Sequence, residues 1–210
     1  MRKKRIPQAT IDRLPIYHRT LESLLETRDR NKLSTISSSK LSEITGINSY
    51  QIRKDFSYFG EFGKRGIGYP VSELAKKLKK IMKSNKKWDI ALAGAGNIGT
   101  AFLRYKGFSK RGFTIRLVFD NDILKIGTEI DNIKILPIQE MEEHLKKQKI
   151  KIGIIAVPAQ SAQEVADKMI AGGVRSILNF APVSIRHSQG VSIKHIDIAI
   201  ELEKLVYYLF

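Results

Sequence analysis

Along the first 85 residues, apolar side chains recur three and four positions apart, the period of helices. Ile11, Leu14, Tyr17, Leu21, Leu24 and Leu25 predict a helix from Thr10, read as its cap, to about Asp29, with Pro15 near its start. A polar loop, Arg30–Ser38, leads to a short helix capped by Ser39, with Leu41 and Ile44 inward and Thr45-Gly46-Ile47 ending it. Asn48 opens the next helix with Gln51 as its capping-box partner, and Ile52, Phe56 and Phe59 turn to the core. Val71–Lys83 closes the segment as an amphipathic helix with Leu74, Leu78 and Ile81 inward. From residue 86 the pattern changes to short apolar runs between amphipathic stretches. Strands are expected at Ile90–Ala93, Ile115–Phe119, Ile133–Leu136, Ile152–Val157 and Ser176–Leu178. Helices fall at Thr100–Tyr105, Gln139–Lys147 and Ser161–Ala171, the last stopped by Gly172-Gly173. The expected class is α/β, preceded by an α+β N-terminal domain.

The second half opens on Asp89–Gly99, D-I-A-L-A-G-A-G-N-I-G, a strand entering a turn with Gly94, Gly96 and Gly99 in a G-x-G-x-x-G pattern. In a Rossmann unit the first glycine permits the turn, the second lets the backbone approach a pyrophosphate, and the third lets helix and strand pack closely. Gly94, Ala95, Gly96, Asn97, Ile98 and Gly99 are therefore candidate cofactor-binding residues. Asp120 ends the next strand 21 residues after Gly99, where a carboxylate takes the adenosine ribose hydroxyls; it favours NAD(H) over NADP(H), whose 2′-phosphate it would repel. A glycine-rich turn without a ligand is the simpler alternative. Val157-Pro158-Ala159 and Asn179-Phe180-Ala181-Pro182 follow further strands and fall on the ligand edge of such a sheet, although packing alone would also account for Phe180 and Pro182.

Charge adds a second partner. The net charge is +16; residues 1–88 carry 21 Lys and Arg against eight Asp and Glu, whereas residues 89–210 carry 16 against 13. That asymmetry points to a polyanion bound by the first half. The helix opened by Asn48 presents Ser49, Tyr50, Gln51, Arg53, Lys54 and Ser57 away from its apolar side. Arg and Gln suit base edges, and Lys and Ser suit phosphates, as in a helix-turn-helix. Phe62–Tyr69 is punctuated by glycine, with Lys64 and Arg65 at its tip, and is expected to form the hairpin wing of a winged helix. The chain has no cysteine, which excludes disulfides and thiol chemistry and fits a reducing compartment. It has no apolar run of membrane-spanning length and no signal-peptide core after Met1, so a cytoplasmic protein is expected, without membrane or metal.

Arg13-Leu14-Pro15, Tyr17 and Arg19, then Gln51–Gly60 (Q-I-R-K-D-F-S-Y-F-G) and Gly68-Tyr69, resemble the Rex family of redox-sensing transcriptional repressors. So do Gly94–Gly99, Phe119-Asp120, Val157-Pro158-Ala159, Asn179–Pro182 and His195-Ile196-Asp197. The resemblance implies three parts: a winged-helix DNA-binding domain (1–85), a Rossmann-like NAD(H)-binding domain (86–195) and a C-terminal helix (196–210). It also implies a homodimer that binds an inverted-repeat operator and releases it when NADH binds. NADH and NAD⁺ would then be competing effectors that are not consumed. Val157, Pro158, Tyr105 and Phe180 would join the cofactor site, and Arg19, Tyr105 and Asp197 would sense the redox state. Ile198 stands where some relatives carry a large aromatic.

Asp197 caps the terminal helix, whose stripe of Ile198, Leu202, Leu205, Val206 and Leu209 must be buried, either on its own sheet or, as the resemblance implies, swapped onto the dimer partner. Two other readings compete. A dehydrogenase needs a substrate domain and a general acid, yet about 30 residues follow the last expected strand, and His18, His144, His187 and His195 show no proton-transfer pairing. A CoA-binding domain uses a similar glycine turn, and Asp120 argues against it.

Overall fold

In the computed structural model, which describes residues 6–26, 34–63, 66–187 and 189–209, the chain divides into two units, Met1–Lys86 and Lys87–Phe210. The basic segment Arg2–Arg5 and the wing tip Lys64-Arg65 lie outside the described residues.

The first unit runs α1 (Gln8–Glu26), β1 (Thr35–Ile36), α2 (Ser38–Thr45), α3 (Ser49–Ser57), β2 (Tyr69–Pro70) and α4 (Val71–Ile81). Its core joins Leu14, Tyr17 and Leu21 of α1 to Leu41, Ile52, Phe56, Leu74 and Leu78, all nearly fully buried. Each such aliphatic side chain contributes about 1.5–3 kcal/mol on leaving water. Gly46 ends α2 in the left-handed region at φ +71°, which an L side chain rarely adopts, and thereby sets the turn into α3. β1 and β2 pair antiparallel, Thr35 opposite Pro70 and Ile36 opposite Tyr69. β2, the return limb of the expected wing, is thus paired with the segment before α2, and among the described residues no strand pairing lies within Phe62–Tyr69 itself. At the base of the wing a Cβ on Gly63 would overlap the carbonyl oxygen of Gly68, so the loop closes through glycine.

Five local expectations change here: Ile44, expected inward beside Leu41, is exposed, and four more concern caps and helix positions. Thr10 lies inside α1, buried, and its hydroxyl serves a distant carboxylate instead of a cap. Pro15 sits well inside α1, not in its first turn. Ser37, not Ser39, caps α2, its Oγ accepting from the Lys40 amide at 3.0 Å. Asn48 does cap α3, but Gln51 turns away from it and donates to Asp55 at 2.8 Å.

The second unit is a doubly wound sheet. Its strands are β3 (Trp88–Ala93), β4 (Phe113–Asp120), β5 (Glu129–Ile130), β6 (Ile133–Pro137), β7 (Ile152–Ile155), β8 (Ser176–Asn179) and β9 (Ser192–His195). They lie in the order β5-β6-β4-β3-β7-β8-β9, all neighbours parallel except the β5–β6 pair. Alternation along β3 sends Ile90 and Leu92 to one face, with Phe102 and Leu103 of α5 (Asn97–Arg104) and Phe108 of α6 (Gly107–Lys110). Ala91 and Ala93 go to the other, with Met141 and Leu145 of α7 (Met141–Gln148) and Val165 and Met169 of α8 (Ala159–Ala171). A register shift between Ile90 and Ala91 leaves Arg116 as the extra residue of β4, so Ile115 and Leu117 point to opposite faces.

The sequence pattern predicts neither β5 nor β9; β9 extends the parallel sheet beyond β8. β7 stops at Ile155, and α8 starts at Ala159. The last helix, α9 (Ile198–Val206), continues into a turn of 3-10 helix, Tyr207–Leu209. Ile198, Leu202, Leu205, Val206 and Leu209 are all more than half exposed, so this stripe does not fold back onto its own sheet.

Candidate functional site

From β3 the sheet grows one way through β4 and β6 and the other way through β7, β8 and β9. The crevice beyond the carboxyl ends of β3 and β7 is such a sheet's ligand position. A cleft of about 380 Å³ opens there, lined among others by Gly94, Gly96, Asp120, Val157, Pro158 and Lys125.

The three glycines of the turn have different physical reasons. Gly94 has φ +95°, and a Cβ there would overlap the Ala156 carbonyl. A Cβ on Gly99 would overlap the Gly94 carbonyl, which keeps α5 tight against the turn. Among the described residues, nothing beyond its two chain neighbours lies within 4 Å of a Cβ on Gly96. Gly96 thus leaves open the space in front of the first turn of α5, where backbone N–H groups attract an anion. Asn97 and Ile98 form that first turn and are exposed.

Asp120 faces the turn from the end of β4. It is buried, its Oδ2 accepting from the Ala95 amide at 2.7 Å and its Oδ1 from the Asp122 amide at 2.9 Å. These bonds fix the carboxylate against the glycine turn while leaving lone pairs for further donors. A pyrophosphate on the α5 amides with a ribose at Asp120 fits these residues.

The remaining candidates are spread more widely. Phe180 follows β8 and packs on Phe102, ring centroids 4.7 Å apart, on the α5 side of the sheet. Tyr105 caps the far end of α5, 58 % exposed, with its ring edge-on to Phe108 at 5.1 Å. Asp197 caps α9, accepting from the amides of Ala199 and Ile200. Arg19 is exposed on α1, in the other unit.

In the first unit, Tyr50, Arg53, Lys54 and Ser57 form the exposed face of α3. Ser49 is half-buried at its start, and Gln51, also half-buried, is committed to Asp55. Arg53 is steadied by a 2.8 Å hydrogen bond to Ser38 Oγ at the head of α2.

Sequence reasoning missed what holds that face in place. Asp55, fully buried on α3, accepts from Thr10 Oγ1 (2.9 Å), Arg13 Nε (2.6 Å) and NH2 (2.8 Å), Tyr17 OH (2.7 Å) and Gln51 Nε2 (2.8 Å). Burial alone pushes the Asp55 carboxyl up, but hydrogen bonds from Arg13, Tyr17, Gln51 and Thr10 outweigh it and hold it at about 2. Burial and the same carboxylate push the Tyr17 phenol above its ordinary range. The available signal was an acid at i+3 from Ile52 and beside Phe56, on the core side of an amphipathic helix. Lys125, on the rim of the cleft near Asp120, was also missed.

Two family models match in chain order, one described as "Putative DNA-binding protein N-terminus" over residues 5–57 and one as "CoA binding domain" over 85–183. The redox-sensing transcriptional repressor Rex of Pelotomaculum thermopropionicum is 48 % identical over 209 residues, covering 100 % of this chain and 96 % of its own. That of Bacillus licheniformis is 39 % identical over 209 residues, covering 100 % and 95 %. The crystal structure of RSP in complex with beta-NAD+ and operator DNA superposes with a TM-score of 0.90 at 35 % identity, covering 98 % of this chain and 93 % of that one. RSP in complex with beta-NADH gives 0.86 at 34 % identity, covering 97 % and 94 %. These relatives are named as repressors and not as enzymes. With a helix-turn-helix unit joined to a nucleotide-binding sheet, and this likeness over the full length, the chain belongs to the Rex family of redox-sensing transcriptional repressors.

Proposed function

We propose that this chain acts in the cytoplasm as a homodimer that binds an inverted-repeat operator and lets go when NADH replaces NAD⁺. The observation that carries the cofactor half is the open corner at Gly96, with unclaimed space before the α5 amides and Asp120 fixed opposite. Gly94, Ala95, Gly96, Asn97, Ile98 and Gly99 would hold the pyrophosphate and Asp120 the ribose, with Val157, Pro158, Tyr105 and Phe180 toward the nicotinamide end. The bound cofactor supplies a difference of one charge between its oxidised and reduced rings. The protein's part is to bind it, shield it and convert that difference into a shift between two dimer arrangements.

Ser49, Tyr50, Gln51, Arg53, Lys54 and Ser57 of α3, with Lys64 and Arg65 of the wing, form the proposed DNA surface. Tyr50, Arg53, Lys54 and Ser57 are exposed as the reading requires, whereas Gln51 serves through Asp55 by orienting the helix. The dimer contact is assigned to α9, because the exposed apolar side chains of α9 and its 3-10 extension need cover. Arg19, Tyr105 and Asp197 of the two subunits form the proposed redox switch, since an Arg–Asp pair in a half-dry interface responds strongly to a neighbouring charge.

Titration of an inverted-repeat operator with the purified protein alone, with NAD⁺ and with NADH tests the whole reading. Binding is expected alone and with NAD⁺, and selective loss with NADH; DNA binding indifferent to both cofactors would overturn the switch.

A further inference from the structure

The ribose end of the cleft carries a charge arrangement that the glycine motif does not require. Lys125 Nζ lies 3.3 Å from Asp122 Oδ2 and 3.7 Å from Asp120 Oδ2. All three residues line the cleft, and among the described residues lining it Lys125 is the one cation. The turn that follows β4 brings the lysine back to this point: the amides of Lys125 and Ile126 donate to the Asp122 carbonyl at 2.9 and 3.0 Å. Asp122 is itself fixed, its Oδ1 accepting from the Leu124 amide at 3.0 Å. Two carboxylates against one ammonium leave this rim negative, with its cation already engaged.

Resting on the reading of Asp120 as the ribose residue, we propose that Lys125 is a latent reader of a ribose 2′-phosphate and that Asp122, by holding it, is a specificity-determining residue for NAD(H) over NADP(H). A 2′-phosphate brings a dianion to a rim that is already negative, so it is rejected; when the Asp122 charge is removed, Lys125 faces Asp120 alone and its ammonium becomes available to the phosphate. Discrimination then resides in a charge count as well as in the ribose carboxylate.

The test measures NADH and NADPH affinity of the full chain by calorimetry for the wild type, Asp122→Asn, Asp122→Asn with Lys125→Ala, and Asp120→Ala. The asparagine keeps an oxygen for the Leu124 amide, so the turn survives. Asp122→Asn is expected to narrow the NADH preference about tenfold, mainly through tighter NADPH binding, and Lys125→Ala is expected to cancel that gain. An unchanged preference in Asp122→Asn, with Asp120→Ala losing NADH affinity, would overturn this inference alone. Unchanged NADH affinity in Asp120→Ala would overturn the ribose assignment and the inference with it.

Discussion

Arg13 on α1 grips Asp55 on α3 through two hydrogen bonds, Nε to Oδ2 at 2.6 Å and NH2 to Oδ1 at 2.8 Å. The carboxylate is fully buried, and Thr10, Tyr17 and Gln51 fill its remaining acceptor sites. The proposed DNA-reading helix is thereby tied to the helix that carries Arg19. Arg13→Ala would leave a buried charge without its counterion and is expected to destabilise the protein by about 3–5 kcal/mol, read from denaturant unfolding.

The same contact sets a pH dependence. The folded Asp55 carboxyl sits at about 2 against 3.8 for the free group, so its stabilisation is fully present above about pH 4 and is lost as pH falls through about 2. Tyr17 is raised, so its contribution is present below about pH 10 and is lost as pH rises above it. Thermal melts of the wild type and Asp55→Asn should converge toward acid pH; curves that stay parallel down to pH 2 would show that Asp55 is not the titrating group.

Arg53→Ala should weaken operator binding by about 1–3 kcal/mol and relax sequence preference if the side chain reads a base. Its tie to Ser38 presets its direction. Equal weakening on unrelated DNA in a binding titration would reduce it to a phosphate contact.

Gly96 and Gly99 should separate binding from folding. A Cβ at 96 meets nothing within 4 Å among the described residues beyond its chain neighbours, so Gly96→Ala is expected to fold with stability within about 0.5 kcal/mol of the wild type yet lose NADH affinity about tenfold. A Cβ at 99 runs into the Gly94 backbone, so Gly99→Ala should cost about 1–3 kcal/mol of stability. Paired melting and NADH titrations read both effects; equal NADH affinity in Gly96→Ala would place the pyrophosphate elsewhere.

Leu202→Lys with Leu205→Lys alters two exposed side chains of α9, 60 % and 59 % accessible. Secondary structure should be unchanged by circular dichroism, while light scattering should show a shift from the proposed dimer to monomer. A dimer that survives both lysines would remove α9 from the interface.

Much of this protein was written locally in its sequence. The strand, glycine turn and helix from Trp88 to Arg104, and Asp120 at the end of the next strand, follow from side-chain period and from backbone freedom within a few residues of one another. So do the turn at Gly46, the Asn48 cap and the apolar stripe of α9, whereas the tertiary structure decided that this stripe stays exposed. Other features depended on partners far away in the chain. Thr10 has the composition of a cap, but its hydroxyl belongs to Asp55, 45 residues on, because a buried carboxylate claims any donor within reach. Four residues, Ser192–His195, alternate too briefly to announce a strand and become one only because β8 offers a free parallel edge. Lys125 meets Asp120 through a turn whose geometry no periodicity records. Local pattern decides which elements form; which polar groups meet is decided by tertiary packing, since burial makes an unpaired donor or charge too costly to leave.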